Sequence, residues 1–269
     1  MKLSNVKLVV TDMDGTLLNS NHEVSQRFFD VFAELKKQNI IFVAASGRQL
    51  NSISEKLASI KNDILIVAEN GGIAIRNDEM LLSTAIGSDN LQKINNSLHE
   101  IEDVNAVYCT KDRAYTNSNS ETLLHLLTEY YNNHQRINSP EEIKSPIYKI
   151  ALFHEISSEK YLYPNLKHLE NDFKVKVSAN HWVDISENNA NKGHAIELIQ
   201  KLYNIAPEET LVFGDYNNDI EMLQKAHFSY AMENAHPLVK EVANYSTKSN
   251  NEFGVEIILE KLIEEKNKN

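Results

Sequence analysis

Short, almost wholly apolar runs punctuate the first third of the chain. Val6-Lys7-Leu8-Val9-Val10 ends in Thr11-Asp12, Ile40 to Ala45 ends in Ser46-Gly47, and Ile64-Leu65-Ile66-Val67 forms a third run. Between the first two, Val24, Phe28, Val31, Phe32 and Leu35 recur at helical spacing, and another helix-like stretch precedes the third. Runs this short and continuous predict strands buried on both faces, and the amphipathic helices between them supply the cover. The rhythm returns near the end. Ala195, Ile196, Ile199, Leu202 and Tyr203 predict a helix, and Thr210 to Phe213 a strand ending in Gly214-Asp215. Phe228 to Met232 predicts a further strand, and Pro237 suits the first turn of a helix. Val255, Ile258, Leu259 and Leu262 mark a final helix, after which the charged tail from Glu264 to Asn269 is expected to fray.

The middle of the chain breaks this alternation. Ala106 to Thr116 reads as a hairpin turning near Lys111-Asp112, and Ser120 to His134 as a helix. Tyr148 to Phe153 is strand-like, Glu159 to Phe173 helical, and Lys174 to Ser186 gives two more short strands. Strands and helices without regular βαβ order predict a separate α+β domain inserted into an α/β core. The expected division is 1–82 and 188–269 for the core, a Rossmann-like parallel sheet, and 83–187 for the insertion.

Composition narrows the function classes. The 269 residues are 42% hydrophobic and 24% charged, enough apolar surface for a core without metals or disulfides. A net charge of -11 disfavours nucleic acid and anionic membranes as partners, while leaving room for one phosphate at a local positive site. Cys109 is the single cysteine, so no internal disulfide forms, which fits the cytoplasm. The N-terminal segment reads as no signal peptide, and no apolar run approaches a membrane span. The ten histidines show no zinc-binding spacing.

Four short segments carry chemistry. Asp12-Met13-Asp14-Gly15-Thr16 puts two carboxylates at a strand end, where one can attack phosphorus and the other handle protons. A calcium loop is the competing interpretation. Leu17 stands where such a loop requires glycine, and the preceding segment is a strand. Gly214-Asp215-Tyr216-Asn217-Asn218-Asp219 gathers hard oxygen ligands suited to Mg²⁺. Ser46-Gly47-Arg48 offers a hydroxyl and backbone N–H groups to phosphate oxygens, although such a pair alone is more often just a turn. Asn191-Lys192-Gly193 opens a helix with a lysine that is either a solvated charge or a phosphate neutraliser. Three of the four end predicted parallel strands, the edge at which open α/β sheets bind ligands.

Together the four segments resemble the haloacid dehalogenase-like superfamily of phosphotransferases, and more closely its Cof-like branch (type IIB) of small-molecule phosphatases. Glu69-Asn70-Gly71-Gly72 and Ala231-Met232-Glu233-Asn234-Ala235-His236-Pro237 fit as well, and the insertion resembles this branch's cap domain. The resemblance implies that Asp12 is the nucleophile and a metal ligand. It implies that Asp14 is the acid/base, with its backbone carbonyl on the metal. Ser46, Gly47 and Asn218 would hold phosphate, Lys192 would steady Asp12 and the phosphoryl group, Asp215 would bind Mg²⁺, and Asp219 would support the metal's outer shell. Serine replaces a frequent threonine at Ser46, and Glu233 a frequent glycine; solvation is the expected fate of Glu233.

The implied function is Mg²⁺-dependent hydrolysis of a small phosphorylated metabolite through an aspartyl-phosphate, by a monomer or weak dimer. Sugar phosphates, pyridoxal phosphate and flavin mononucleotide all fit. A phosphomutase is the alternative within enzymes, and a non-catalytic phosphosugar-binding regulator the alternative outside them. The intact Asp12/Asp14 pair weighs against the regulator, which has no need of a nucleophile. Arg113, His181 and Trp182 are the insertion's candidates for substrate choice, with a place in its core the more common role for a lone tryptophan.

Overall fold

The structure, a computed structural model, describes residues 2–130 and 133–268. The strands, in chain order, are β1 (Leu8–Asp12), β2 (Ile41–Ala45), β3 (Leu65–Ala68), β4 (Ile73–Arg76), β5 (Glu79–Ser83), β6 (Asn105–Thr110) and β7 (Ala114–Thr116). They continue with β8 (His134–Arg136), β9 (Ile147–Phe153), β10 (Phe173–Ala179), β11 (Trp182–Glu187), β12 (Thr210–Gly214), β13 (Phe228–Ala231) and β14 (Tyr245–Ser246). Contacts divide the chain into two compact units. One holds residues 1–48, 53–81 and 191–269, and the other 49–52 and 82–190.

The first unit is built on an eight-stranded sheet, ordered β14-β13-β12-β1-β2-β3-β4-β5. β1 lies near its centre, parallel to β2 on one side and β12 on the other. All five of its residues are buried, as the continuous apolar pattern requires of a strand covered on both faces. The helix Gln26–Lys37 supplies cover by burying Phe28, Val31, Phe32 and Leu35. Ser25 caps it, its side chain accepting from the Phe28 N–H, and Lys36 and Lys37 lie in its last turn, where cations suit the helix dipole. The rings of Phe28 and Phe32 pack on Phe42 of β2 with centroids 5.3 and 5.6 Å away. The register places Asp12 opposite Ala45, and Thr11 opposite Phe213, so β1, β2 and β12 end at one edge.

The second unit holds a six-stranded sheet, ordered β10-β11-β9-β6-β7-β8. The pairings from β10 through β7 are antiparallel, and β7 with β8 is parallel. β9 shows the period-two alternation directly. Ile150 and Leu152 join a core with Ile94, Leu98, Leu162, Leu166 and Leu169, whereas Ala151 and Phe153 join one with Leu123 and Leu127.

The α/β expectation holds, with four local corrections. The first sheet is not wholly parallel, because β4 runs antiparallel to β3. Asn77, in the left-handed region at φ 53°, sits in the two-residue turn between β4 and β5. The helix expected over Ser120 to His134 spans Glu121–Tyr130; residues 131–132 lie outside the described residues, and His134 pairs with Ala114 in the sheet. The helix expected over Glu159 to Phe173 is broken into Ser158–Tyr161, Tyr163–Leu166 and a 3-10 segment, Lys167–Asn171. Pro164 opens the second piece, since it has no N–H to continue the first. The tail stays helical to Asn267 instead of fraying from Glu264, and Lys266 donates to the Ser4 carbonyl. Among the described residues no helix is long and apolar enough to cross a membrane.

Candidate active site

The edge where β1, β2 and β12 end gathers the charged residues of the four segments. Asp12, the last residue of β1, is 5% exposed, and Lys192 and Asp219 are fully buried. Lys192 Nζ donates to Asp12 Oδ1 at 2.5 Å and to Asp219 Oδ1 at 2.7 Å. Its position follows from the helix Lys192–Tyr203. Asn191 caps that helix by accepting from the His194 N–H, which fixes Lys192 as the first helical residue. Burial alone would lower the lysine pKa, but the two carboxylates outweigh it and raise it.

Asp219 spends its other oxygen on backbone. Oδ2 accepts from the N–H groups of Asp215 and Tyr216 at 2.9 and 3.1 Å, so the carboxylate braces the turn that carries Asp215. Carboxylate oxygens of Asp12, Asp215 and Asp219 lie within 4.8 Å of one another. Asp215 accepts from Thr16 Oγ1 at 3.1 Å, and a Cβ at Gly15 would stand 2.3 Å from its Oδ2. Gly15 also has φ +78°, so glycine is demanded there by both backbone and space. Burial and the charge of Asp219 push the Asp215 carboxyl pKa up to about 6. Burial and the same neighbour push Asp12 well above the usual carboxylate range, against the pull of Lys192.

Asp14 lies apart from that cluster and is 42% exposed. Arg48 grips it with two hydrogen bonds, Nε to Oδ2 at 2.7 Å and Nη2 to Oδ1 at 2.5 Å. Burial would raise its pKa, yet the hydrogen bonds and charge of Arg48 hold it below the usual value. Ser46 is buried at the end of β2, where its Oγ accepts from the Arg48 N–H at 3.1 Å. Gly47 follows in the same turn. Asn218 donates from Nδ2 to Asn70 Oδ1 at 3.0 Å. Asn234 donates to the Gly15 carbonyl at 2.8 Å, fastening the Asp12–Thr16 loop. Glu233 is exposed, 3.7 Å from Lys248.

Sequence reasoning named no role for Arg48, Asn70, Thr16 or Asn234. All four belong to the segments that carry the family resemblance, but only the fold shows what they touch. Arg113, His181 and Trp182 belong to the second unit. Arg113 donates to Asn133 and Gln135. Nδ1 of His181 lies 3.1 Å from the His154 carbonyl oxygen. Trp182 is half-buried, its ring centroid 5.1 Å from that of Phe153.

A buried lysine between two aspartates, a third aspartate beside them and a clamped fourth stand at one sheet edge, an arrangement of charges and oxygen donors that could serve phosphoryl transfer. Residues 9–259 match the haloacid dehalogenase-like hydrolase family, and the chain belongs to it. In Escherichia coli, 5-amino-6-(5-phospho-D-ribitylamino)uracil phosphatase YbjI is 32% identical over 96% of both chains. A Bacillus subtilis protein of the same activity name, YcsE, is 24% identical over 93% of both. The solved structure of SMU.1108c from Streptococcus mutans has a TM-score of 0.87 at 27% identity, covering 96% of this chain and 99% of that one. The protein is accordingly an enzyme, a phosphatase of this family.

Proposed function

We propose that the protein is a Mg²⁺-dependent phosphatase that hydrolyses a small phosphorylated metabolite through an aspartyl-phosphate on Asp12. The observation that carries this reading is the buried Asp12–Lys192–Asp219 cluster closed by Asp215. Three carboxylates crowd round one lysine there, and burial first, then the charge of Asp219, raises the Asp12 and Asp215 pKa values. An all-oxygen donor set short of positive charge fits a hard divalent cation. Asp12, Asp215 and the Asp14 carbonyl would hold the ion, with Asp219 behind them. Bound Mg²⁺ would neutralise phosphate charge during transfer.

The protein's own residues supply the rest. An Asp12 carboxylate oxygen attacks phosphorus, the ester P–O bond breaks, and the leaving oxygen takes a proton from Asp14. Water then gives a proton to Asp14 and attacks phosphorus, and the bond to Asp12 breaks, which restores the Asp12 carboxylate and the protonated Asp14 carboxyl. Without substrate Arg48 holds Asp14 oriented and ionised, the form that accepts the proton of water; to serve first as the acid, Asp14 takes up a proton from solvent as the phosphoester binds. Lys192 fixes the Asp12 rotamer and offsets developing negative charge. Ser46, Gly47 and Asn218 take the phosphate oxygens.

The activity name shared by the Escherichia coli and Bacillus subtilis relatives supports a phosphorylated polyol joined to a cofactor-type ring as substrate. The test is phosphate release from a panel that includes 5-amino-6-(5-phospho-D-ribitylamino)uracil, sugar phosphates, pyridoxal phosphate and flavin mononucleotide, with Mg²⁺ or excess EDTA. Acid-quench trapping and peptide mapping would then locate the phosphoryl group. Label on Asp12 and EDTA-sensitive turnover are expected. Isomer interconversion without net phosphate release would favour a phosphomutase, and no turnover of any ester a binding protein.

A further inference from the structure

We infer that Asn70 is a positioning residue for phosphate, acting by orienting the Asn218 carboxamide; this rests on the reading of Asn218 as a phosphate contact. After β3 the backbone does something costly. Glu69, Asn70 and Gly71 all have positive φ, at 50°, 56° and 96°, although two of them carry side chains. Left-handed non-glycine residues are disfavoured and persist where surrounding contacts hold them. Those contacts join three of the four chemical segments. The Asn70 N–H donates to the Ser46 carbonyl at 3.0 Å, and the Glu69 N–H to the Arg48 carbonyl at 3.1 Å. Gly71 lies so close to the Asn191–Lys192 backbone that a Cβ there would stand 2.3 Å from the Asn191 carbonyl carbon and oxygen. The turn thus brings the Asn70 side chain against Asn218 and against Gly47. Its Oδ1 accepts from Asn218 Nδ2 at 3.0 Å, and it would stand 2.8 Å from a Cβ at Gly47.

This contact decides which end of Asn218 meets an anion. A primary amide presents either an acceptor oxygen or a donor NH₂ group, and a rotation exchanges them. Asn70 Oδ1 can pair only with the NH₂ end of Asn218. One N–H is spent on Asn70, and the second N–H on the same nitrogen is held ready for a phosphate oxygen. Flipped, Asn218 would set its oxygen against Asn70 Oδ1, two acceptors in repulsion. In the pairing the structure shows, Asn70 makes Asn218 a donor before substrate arrives, which is preorganisation in place of induced ordering.

The test uses Asn70→Gly, Asn218→Ala and the double variant in the full-length protein. Glycine adopts φ 56° without steric cost, so Asn70→Gly deletes the amide while keeping the turn. With p-nitrophenyl phosphate, Asn70→Gly should lower kcat/KM by about 10- to 100-fold, the size of a lost hydrogen bond to a charged group. Competitive inhibition by inorganic phosphate should weaken in parallel, while the melting temperature stays close to wild type. The double variant should be no worse than Asn218→Ala, because both changes remove the same oriented donor. If Asn70→Gly retains wild-type kinetics and phosphate inhibition while Asn218→Ala loses them, the inference falls and the reading of Asn218 stands. Losses that multiply in the double variant also overturn it. Wild-type phosphate inhibition in Asn218→Ala would remove Asn218 from the phosphate site, and Asn70's role with it.

Discussion

The two units bury polar groups in different ways. In the antiparallel unit the buried hydroxyls and ring nitrogens answer backbone. Thr110 Oγ1 donates to the Arg113 carbonyl at 2.8 Å, Thr116 Oγ1 to Ala106 at 2.7 Å, and Ser158 Oγ to Ala179 at 3.1 Å. His154 Nδ1 accepts from the N–H groups of Ile156 and Ser157. Each of these groups satisfies a turn or strand end, the inexpensive way to bury polarity. In the parallel-sheet unit the strand ends bury hydroxyls too, such as Ser46, but beside them they bury the ions Asp12, Lys192 and Asp219, which pair with one another. Burying ions costs several kcal/mol each in desolvation, and apolar residues of similar volume would often hold a fold as well. The difference teaches that the strand-end cluster is there for its charge, whereas the buried hydroxyls of the second unit are there for its backbone.

The contrast is broken most directly at Asp12. Asp12→Asn should lower phosphate release by about 10⁴-fold or more with every ester, the scale of a lost nucleophile. The fold should survive, because Lys192 keeps Asp219 as a partner. Phosphate-release assays beside circular dichroism would check both halves. A folded variant with substantial turnover would mean that the buried cluster is structural after all.

Lys192→Met comes next, and there the effect on stability is the larger test. It leaves Asp12 and Asp219 without their common cation, so a loss of about 3–5 kcal/mol is expected from denaturant unfolding. A loss below roughly 1 kcal/mol, the range of exposed pairs, would erase the distinction between the units.

A third measurement follows from Asp215, whose pKa is pushed up to about 6 by burial and Asp219. A folded-state pKa above the ordinary carboxylate value means that the native state binds the extra proton. Metal-free stability should therefore fall as pH rises from about 4 through about 6, and level off above. Mg²⁺ competes for the ionised form, so it should raise the melting temperature at pH 8 and do little at pH 5. Equal Mg²⁺ stabilisation at both values would place the ion elsewhere.

How much of this was legible beforehand differs between the units for a physical reason. Parallel strands buried on both faces are apolar throughout, so the runs at Val6–Val10, Ile40–Ala45 and Ile64–Val67 located β1, β2 and β3 to within two residues. The charged residues that end them then fell at one edge by topology. In the second unit the signals are shorter. Pro164 cuts a helical pattern that its neighbours continue, and β8 is three residues with no apolar alternation. Asn70 and Arg48 were invisible as partners for another reason: Asn218 lies 148 residues from Asn70, and Asp14 lies 34 from Arg48. Periodicity carries no information about such pairs.

The smallest expected effect lies in the second unit, at Asp184, on which the charge of Lys149 acts. Asp184 sits in β11 between Lys176 of β10 and Ala151 of β9. Burial raises the Asp184 pKa, and the pull of Lys149 and the hydrogen bond with Ser178 do not restore it. The ionised form is thus a net burden to the fold, unlike Asp14, whose arginine outweighs burial. Because the folded pKa lies above the unfolded one, wild-type stability attributable to Asp184 should decline as pH rises from about 4 toward the raised value, then stay constant. Asp184→Asn cannot titrate and lacks that slope. Its stability relative to wild type should therefore improve as pH rises, ending within roughly 1 kcal/mol of wild type at neutral pH, since Lys149 loses a partner in exchange. Thermal unfolding of both proteins between pH 4 and 8 measures this. A deficit that widens with rising pH would show ionised Asp184 to be a stabilising group, a charge kept for the fold, and the contrast between the two units would then no longer hold.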